Sequence, residues 1–184
     1  MRLFFGLALP PEVRKATAQY ARLAAQTLPG RYALPENHHI TLAFLGEVET
    51  ARLGEAQAVL AACAAAFPAP QVTIEGPSHF GREENAIFTL RAASEPPLAP
   101  LHDALTGALN ARGLPFDPGP FSPHVTLARH ARLAGAEPPP FAPVRFCAAQ
   151  AHLFLSARDA EGVLRYTPLA SAPFMTDSPG NRGL

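Results

Sequence analysis

Two short stretches of this chain place a proton-transferring side chain beside a hydroxyl: His39-Ile40-Thr41-Leu42 and His124-Val125-Thr126-Leu127. Both read H-x-T-L. On a strand, residues i and i+2 project from one face, so each His and its Thr look into one space while Ile40, Leu42, Val125 and Leu127 look into the core. The composition of the chain yields roughly 0.05 copies of the pattern by chance, so its recurrence is informative where a single copy would not be. A lone strand histidine is most often a structural residue. Two of them, each beside a hydroxyl, point to a shared site. Imidazole titrates near neutral pH, so one neutral ring can take a proton from water while a second, protonated ring gives one to a leaving alcohol. In-line displacement at phosphorus wants such a pair on opposite sides of the phosphorus, and the hydroxyls suit its non-bridging oxygens. His39 and His124 are therefore the candidate catalysts, with Thr41 and Thr126 as phosphate ligands. Arg129, two residues beyond Leu127 and read on the His124 face, either clamps phosphate charge or is a solvated strand-end arginine.

Rival chemistries find less in the sequence. Neither motif has a Cys, Asp or Glu two residues away, so no metal-ligand set is expected. Ser122 lies near His124, but the chain has no G-x-S-x-G elbow. The only lysine, Lys15, precedes Ala16-Thr17-Ala18, which is not the K-x-D-G setting of a lysine that stores AMP. His38 alternates to the face opposite His39 and is expected at a surface or edge. His79, His102, His130 and His152 have no partner pattern and are expected to be structural or solvated. Phe4, Phe5, Phe80 and Phe121 are assigned to the core, although one near the cleft can stack on a base.

The elements that must position these residues follow from periodicity. Residues 2–8 form a strand, and Pro10-Pro11-Glu12 opens a helix with Val13, Ala16, Tyr20, Leu23 and Ala24 on one face. A strand over 38–45 leads to a helix capped by Thr50 and running to Ala66, with Leu53, Ala56, Val59, Leu60 and Cys63 inward. Strands at 70–76 and 86–92 flank a turn-rich loop, Gly76 to Asn85. A helix from Pro97 to Arg112 buries Leu98, Leu101, Leu105 and Leu109 and stops at Gly113. Strands follow at 123–129, 143–149, 150–157 and 163–169, the last two joined by a turn at Asp159-Ala160-Glu161-Gly162. Strand, amphipathic helix, proline-rich gap and H-x-T-L strand occur twice, with Phe5 preceding His39 by 34 residues and Phe88 preceding His124 by 36. Such an echo implies a duplicated unit packed about a pseudo-twofold axis, with both motifs facing one cleft.

Composition sets the outer bounds. The chain has 184 residues, 48% of them hydrophobic, enough for one substantial core. Its formal net charge is zero, so no global positive field holds long nucleic acid, and any such ligand is met over a few nucleotides or at an end. Cys63 and Cys147 lack metal or redox spacing and are read as buried free thiols. The apolar start is cut off by Pro10-Pro11, no segment reaches membrane-spanning length, and a cytoplasmic location is expected. Residues 1–176 are read as one bilobal domain and residues 177–184 as a disordered tail.

These residues resemble the two-histidine phosphoesterase superfamily, and most closely its bacterial and archaeal branch, the RNA 2′,3′-cyclic phosphodiesterases also described as 2′–5′ RNA ligases. The resemblance runs over Arg2-Leu3-Phe4-Phe5-Gly6-Leu7, the stretch Pro35 to Gly46, and Phe121 to Arg129. His38 departs from it, standing where an aliphatic residue is expected. The resemblance implies a bilobal α+β fold with two antiparallel sheets lining a central cleft and helices outside. It also implies hydrolysis of RNA 2′,3′-cyclic phosphate ends to 2′-phosphates, with His39 and His124 catalytic and Thr41, Thr126 and Arg129 on the phosphate. No cofactor or metal is implied, nor a membrane or an obligatory protein partner, and a monomer is expected. 2′–5′ ligation is the reverse type of reaction on the same site. The rivals are action on another cyclic or 2′–5′ phosphoester, such as ADP-ribose cyclic phosphate or 2′–5′ oligoadenylate, and a non-catalytic RNA-end binding module.

Overall fold

A computed structural model describes residues 1–175; the tail read from the sequence lies outside the described residues. Among the described residues nine strands and three helices follow in the order β1 (Arg2–Ala8), α1 (Pro11–Ala24), β2 (Arg31–Tyr32), β3 (His39–Glu47), α2 (Leu53–Ala65), β4 (Gln71–Phe80), β5 (Ala86–Glu95), α3 (Ala99–Ala111), β6 (His124–Ala131), β7 (Val144–Cys147), β8 (Gln150–Arg158) and β9 (Leu164–Pro173). The fold is α+β. Strand order is β7-β4-β5-β6-β3-β1-β8-β9, with β2 added beside β6, and every ladder between these strands is antiparallel.

That order reads alike from both ends once β1-α1-β3 is matched to β5-α3-β6, as the duplication requires. The halves β9-β8-β1-β3 and β6-β5-β4-β7 meet through one residue pair, Ile40 with Val125. These are the second residues of the two H-x-T-L motifs. The pseudo-twofold axis therefore passes between the motifs themselves. The helices cover the other face. α1 packs toward β7, while α2 and α3 pack on each other and on β3, β8 and β9. Each duplicated unit thus lays its helix over the sheet of the other, and Phe5 and Phe88, equivalent in the two units, are both fully buried between sheet and helices.

Several element boundaries differ from expectation for identifiable reasons. β4 runs on through Gly76-Pro77 to Phe80. A register shift between Ile74 and Gly76 absorbs one residue, and β7 pairs only with Gln71 to Ile74, so Pro77 sits where the outer edge of β4 is free and its missing N–H costs no ladder bond. Thr50 starts a short 3₁₀ turn and does not cap α2, whose N-cap is Arg52 with no side-chain cap bond. On α1 the buried stripe is Val13, Thr17, Ala18, Tyr20, Ala21 and Ala24, and Leu23 is 48% exposed. Cys63 is buried as expected, but Cys147, on the short strand β7, is exposed; both are free thiols.

Candidate active site

Alternation along β3 and β6 sends Ile40, Leu42, Val125 and Leu127 into the core, each at most 1% exposed, and turns His39, Thr41, His124 and Thr126 to the other face. Extending the Ile40–Val125 register by one residue each way sets His39 opposite Thr126 and Thr41 opposite His124. All four side chains line one cleft of about 820 Å³.

The two imidazoles are held alike. His39 Nδ1–H donates to the carbonyl of Asn37 at 2.7 Å, and His124 Nδ1–H to the carbonyl of Ser122 at 2.7 Å. A carbonyl can only accept, so each neutral ring keeps its proton on Nδ1 and presents Nε2 as the basic atom. Thr41 Oγ1 lies 3.0 Å from His39 Nε2, where its hydroxyl donates to that atom. Gly6 lies under His39 on β1: a Cβ there would meet the Ile40 carbonyl at 2.8 Å and His39 Cδ2 at 3.5 Å, so only glycine lets β1 and β3 approach this closely.

Electrostatically the pair is asymmetric. Burial pushes the His39 pKa down from 6.5 to about 4; the Asn37 carbonyl opposes this, while His124, His38 and Arg129 lower it further. His124 is also lowered, first by burial and then by Arg129, against the Ser122 carbonyl. Aromatic rings enclose His39, with centroids at 4.7 Å for Phe4 and 4.9 Å, edge-on, for Tyr166. Against His124 the structure places Phe80 at 4.8 Å. Four arginines, Arg2, Arg31, Arg129 and Arg158, line the cleft and, among the described residues, no carboxylate does. A protein of zero net charge thus gathers its cations where an anion would sit.

Arg129 reaches the cleft by a route that alternation does not supply. Counting from His124 gives Thr126 and Ala128, not Arg129. A register shift of β6 against β5, between Phe88 and Thr89, inserts Leu127 as an extra residue and resets the alternation. Leu127 and Ala128 are then both fully buried, and Arg129 lines the cleft with His130.

The structure corrects the reading of His38. It does face away from His39, but it is only 3% exposed. Thr17 Oγ1 donates to the Arg14 carbonyl at 3.0 Å, so it accepts from His38 Nδ1–H at 2.8 Å, while His38 Nε2 is buried without a partner among the described residues. Burial pushes this group to about 4 as well; Glu36 opposes and Arg14 adds to the shift. It occupies a buried position, where the resemblance leads to an aliphatic residue. Among the others, His102 is structural: its Nδ1–H donates to the Leu42 carbonyl at 2.7 Å, and its ring stacks on Phe121. His152 pairs with Ser171 Oγ at 2.8 Å. Sequence reasoning missed Arg2, Arg31, Arg158, Tyr32 and Tyr166. Arg2 and Phe4 alternate on the cleft face of β1 and were findable from the period of two; Arg31, Arg158 and Tyr166 come to the cleft through tertiary pairing alone.

Among the described residues no group of three His, Cys, Asp or Glu side chains is placed to hold a metal ion, and no helix is long and apolar enough to cross a membrane. Residues 9–146 match the sequence model of the 2'-5' RNA ligase superfamily, and the chain belongs to that superfamily. It is 32% identical over 170 residues to the RNA 2',3'-cyclic phosphodiesterase of Escherichia coli K12, covering 91% of this chain and 93% of that protein. It is 35% identical over 131 residues, 68% of its length, to the protein of the same name from Geobacillus stearothermophilus, of which the match spans only 41%. The crystal structure of TT0787 of Thermus thermophilus superimposes with a TM-score of 0.77 at 26% identity, covering 97% of this chain and 100% of that one. The Escherichia coli LigT structure complexed with 3'-AMP gives 0.71 at 28% identity, covering 94% and 97%.

Proposed function

We propose that this protein hydrolyses RNA 2′,3′-cyclic phosphate ends to 2′-phosphomonoesters, with His39 and His124 as the acid and base and with no metal or nucleotide cofactor. One observation carries the reading: two imidazoles on strands related by the pseudo-twofold axis each use Nδ1–H on the carbonyl two residues back, leaving two Nε2 atoms for proton transfer in one arginine-lined cleft. Water attacks phosphorus and gives its proton to one neutral Nε2, while the other, protonated ring donates to the departing 3′ oxygen. The P–O3′ bond breaks and the phosphate stays on O2′. Thr41, Thr126 and Arg129 hold the non-bridging oxygens and their charge. The names of the relatives in Escherichia coli and Geobacillus, and a solved relative holding 3'-AMP, support a nucleotide phosphodiester as substrate.

Running the same steps with a 5′-hydroxyl in place of water forms a P–O5′ bond, breaks P–O3′ and joins the ends through a 2′–5′ linkage, and the superfamily description favours this second reading. Every group invoked comes from one chain, so a monomer suffices, and a cytoplasmic location fits RNA ends as substrate. The deciding experiment incubates purified protein with nucleoside 2′,3′-cyclic phosphates in EDTA and identifies the product. Nucleoside 2′-phosphate is expected. A 3′-phosphate product, or activity lost to EDTA, overturns the mechanism.

A further inference from the structure

A second cavity of about 310 Å³ adjoins the cleft, lined by Phe80, Gly81, Asn85 and Ile87 and sharing Arg129 and His130 with it as a common wall. We propose that this side pocket is a subsite for the base of a second nucleotide, so that the protein reads an RNA end over two residues. The inference rests on the functional reading above.

The pocket exists because the two halves of the molecule differ at equivalent points. Phe5 corresponds to Phe88, so Phe154, paired with Phe4, corresponds to Phe80, paired with Ile87. Phe154 is 7% exposed, stacked at 5.0 Å under Phe4 and covered on the β9 side, where Tyr166 closes on His39. β9 spans ten residues, but its counterpart β7 spans four and stops at Val144, opposite Ile74. The β7 ladder ends short of Phe80, which is left 37% exposed with its ring against His124. An exposed aromatic next to a phosphate site is what base stacking uses.

The wall of the pocket carries polar groups suited to a base edge. His130 adopts φ 53°, a left-handed conformation that costs a side-chain-bearing residue energy. Asn85 holds it there: His130 Nδ1–H donates to Asn85 Oδ1 at 2.9 Å. That bond leaves His130 Nε2 as an acceptor and the Asn85 amide N–H groups as donors. Arg129, assigned above to the terminal phosphate, forms the wall between the two cavities, so the side pocket adjoins that phosphate directly.

The test compares three substrates: a nucleoside 2′,3′-cyclic phosphate, a dinucleotide ending in the same cyclic phosphate, and that dinucleotide with its upstream residue abasic. The abasic form keeps the extra phosphate and removes only the base. In wild-type protein the upstream base is expected to raise kcat/KM at least about fivefold over the abasic form, the lower worth of one stacked base. Phe80→Ala and Phe80→Leu should bring that ratio to near one, and Phe80→Tyr should restore it. A wild-type ratio of one, or a ratio that survives Phe80→Ala in a protein with wild-type circular dichroism, overturns the subsite. If wild-type protein opens none of the three, the functional reading fails instead. Affinities for the corresponding 2′-phosphate-ended dinucleotides, with and without the upstream base, then decide the pocket by the same ratio.

Discussion

Replacing the buried His38 with leucine should make the fold resistant to mild acid. The magnitude follows from the His38 pKa, held near 4 by burial against 6.5 in the unfolded chain. A depressed folded pKa means that the unfolded state binds the proton more readily, so stability is fully present above pH 6.5 and is lost as pH falls towards 4. Linkage at pH 5 gives a loss of about 2 kcal/mol from this group, against less than about 0.1 kcal/mol at pH 7.5. His39, His124 and His152, all lowered by burial, add losses of the same sign, so the wild-type slope alone does not isolate His38. The double difference does. Leucine fills a buried site that already leaves Nε2 unpartnered, and Thr17 keeps its bond to the Arg14 carbonyl. Urea midpoints for both proteins at pH 7.5 and pH 5 measure the quantity, and the His38→Leu protein should lose about 2 kcal/mol less over that interval. An equal loss in the two proteins would show that His38 takes up no proton on unfolding and would refute the reasoning.

Three further outcomes concern the cleft. His39→Ala and His124→Ala should each lower kcat at least about a hundredfold, and the double substitution should cost far less than the product of the two, because both serve one transition state; folded single variants at near wild-type rates would remove the assignment. Thr41→Ala and Thr126→Ala should be milder and fall partly on KM, while Arg129→Ala should weaken 2′-phosphate product binding and flatten its salt dependence, read by calorimetric titration at two ionic strengths. The kcat/KM profile should be a bell with its alkaline limb below pH 6.5, since both free imidazoles lie below their ordinary value and the pair must carry one proton; a limb at pH 7 or above would contradict this.

The paired H-x-T-L motifs and the duplication were legible because both depend on local periodicity: alternation puts His39 with Thr41 and His124 with Thr126, and the matched spacing from Phe5 and Phe88 exposes the repeat. What escaped was set by strand pairing. No pattern within β6 announces the extra residue that brings Arg129 to the cleft, since the shift is defined against β5. Gly76-Pro77 carries the composition of a turn and is held in β4 because β7 ends early. Alternation away from His39 suggested a surface or edge position for His38, whereas its burial follows from α1 closing over it through Thr17.

On the proposed mechanism, the same geometry lets a duplicated unit perform an asymmetric reaction. Because the axis passes between Ile40 and Val125, the His of each half faces the Thr of the other, and in the proposed mechanism a phosphorus on the axis would meet a histidine from each side. Perfect symmetry would leave the two rings equivalent, yet one must be acid and the other base. The ends of the sheet remove that equivalence. The ten-residue β9 brings Tyr166 over His39, which sits among rings and is the more deeply buried, while the four-residue β7 leaves His124 beside the open Phe80 pocket. On the proposed assignment, the asymmetry that separates the two proton-transfer roles and the asymmetry that opens the second cavity have one origin, the unequal length of the outermost strands.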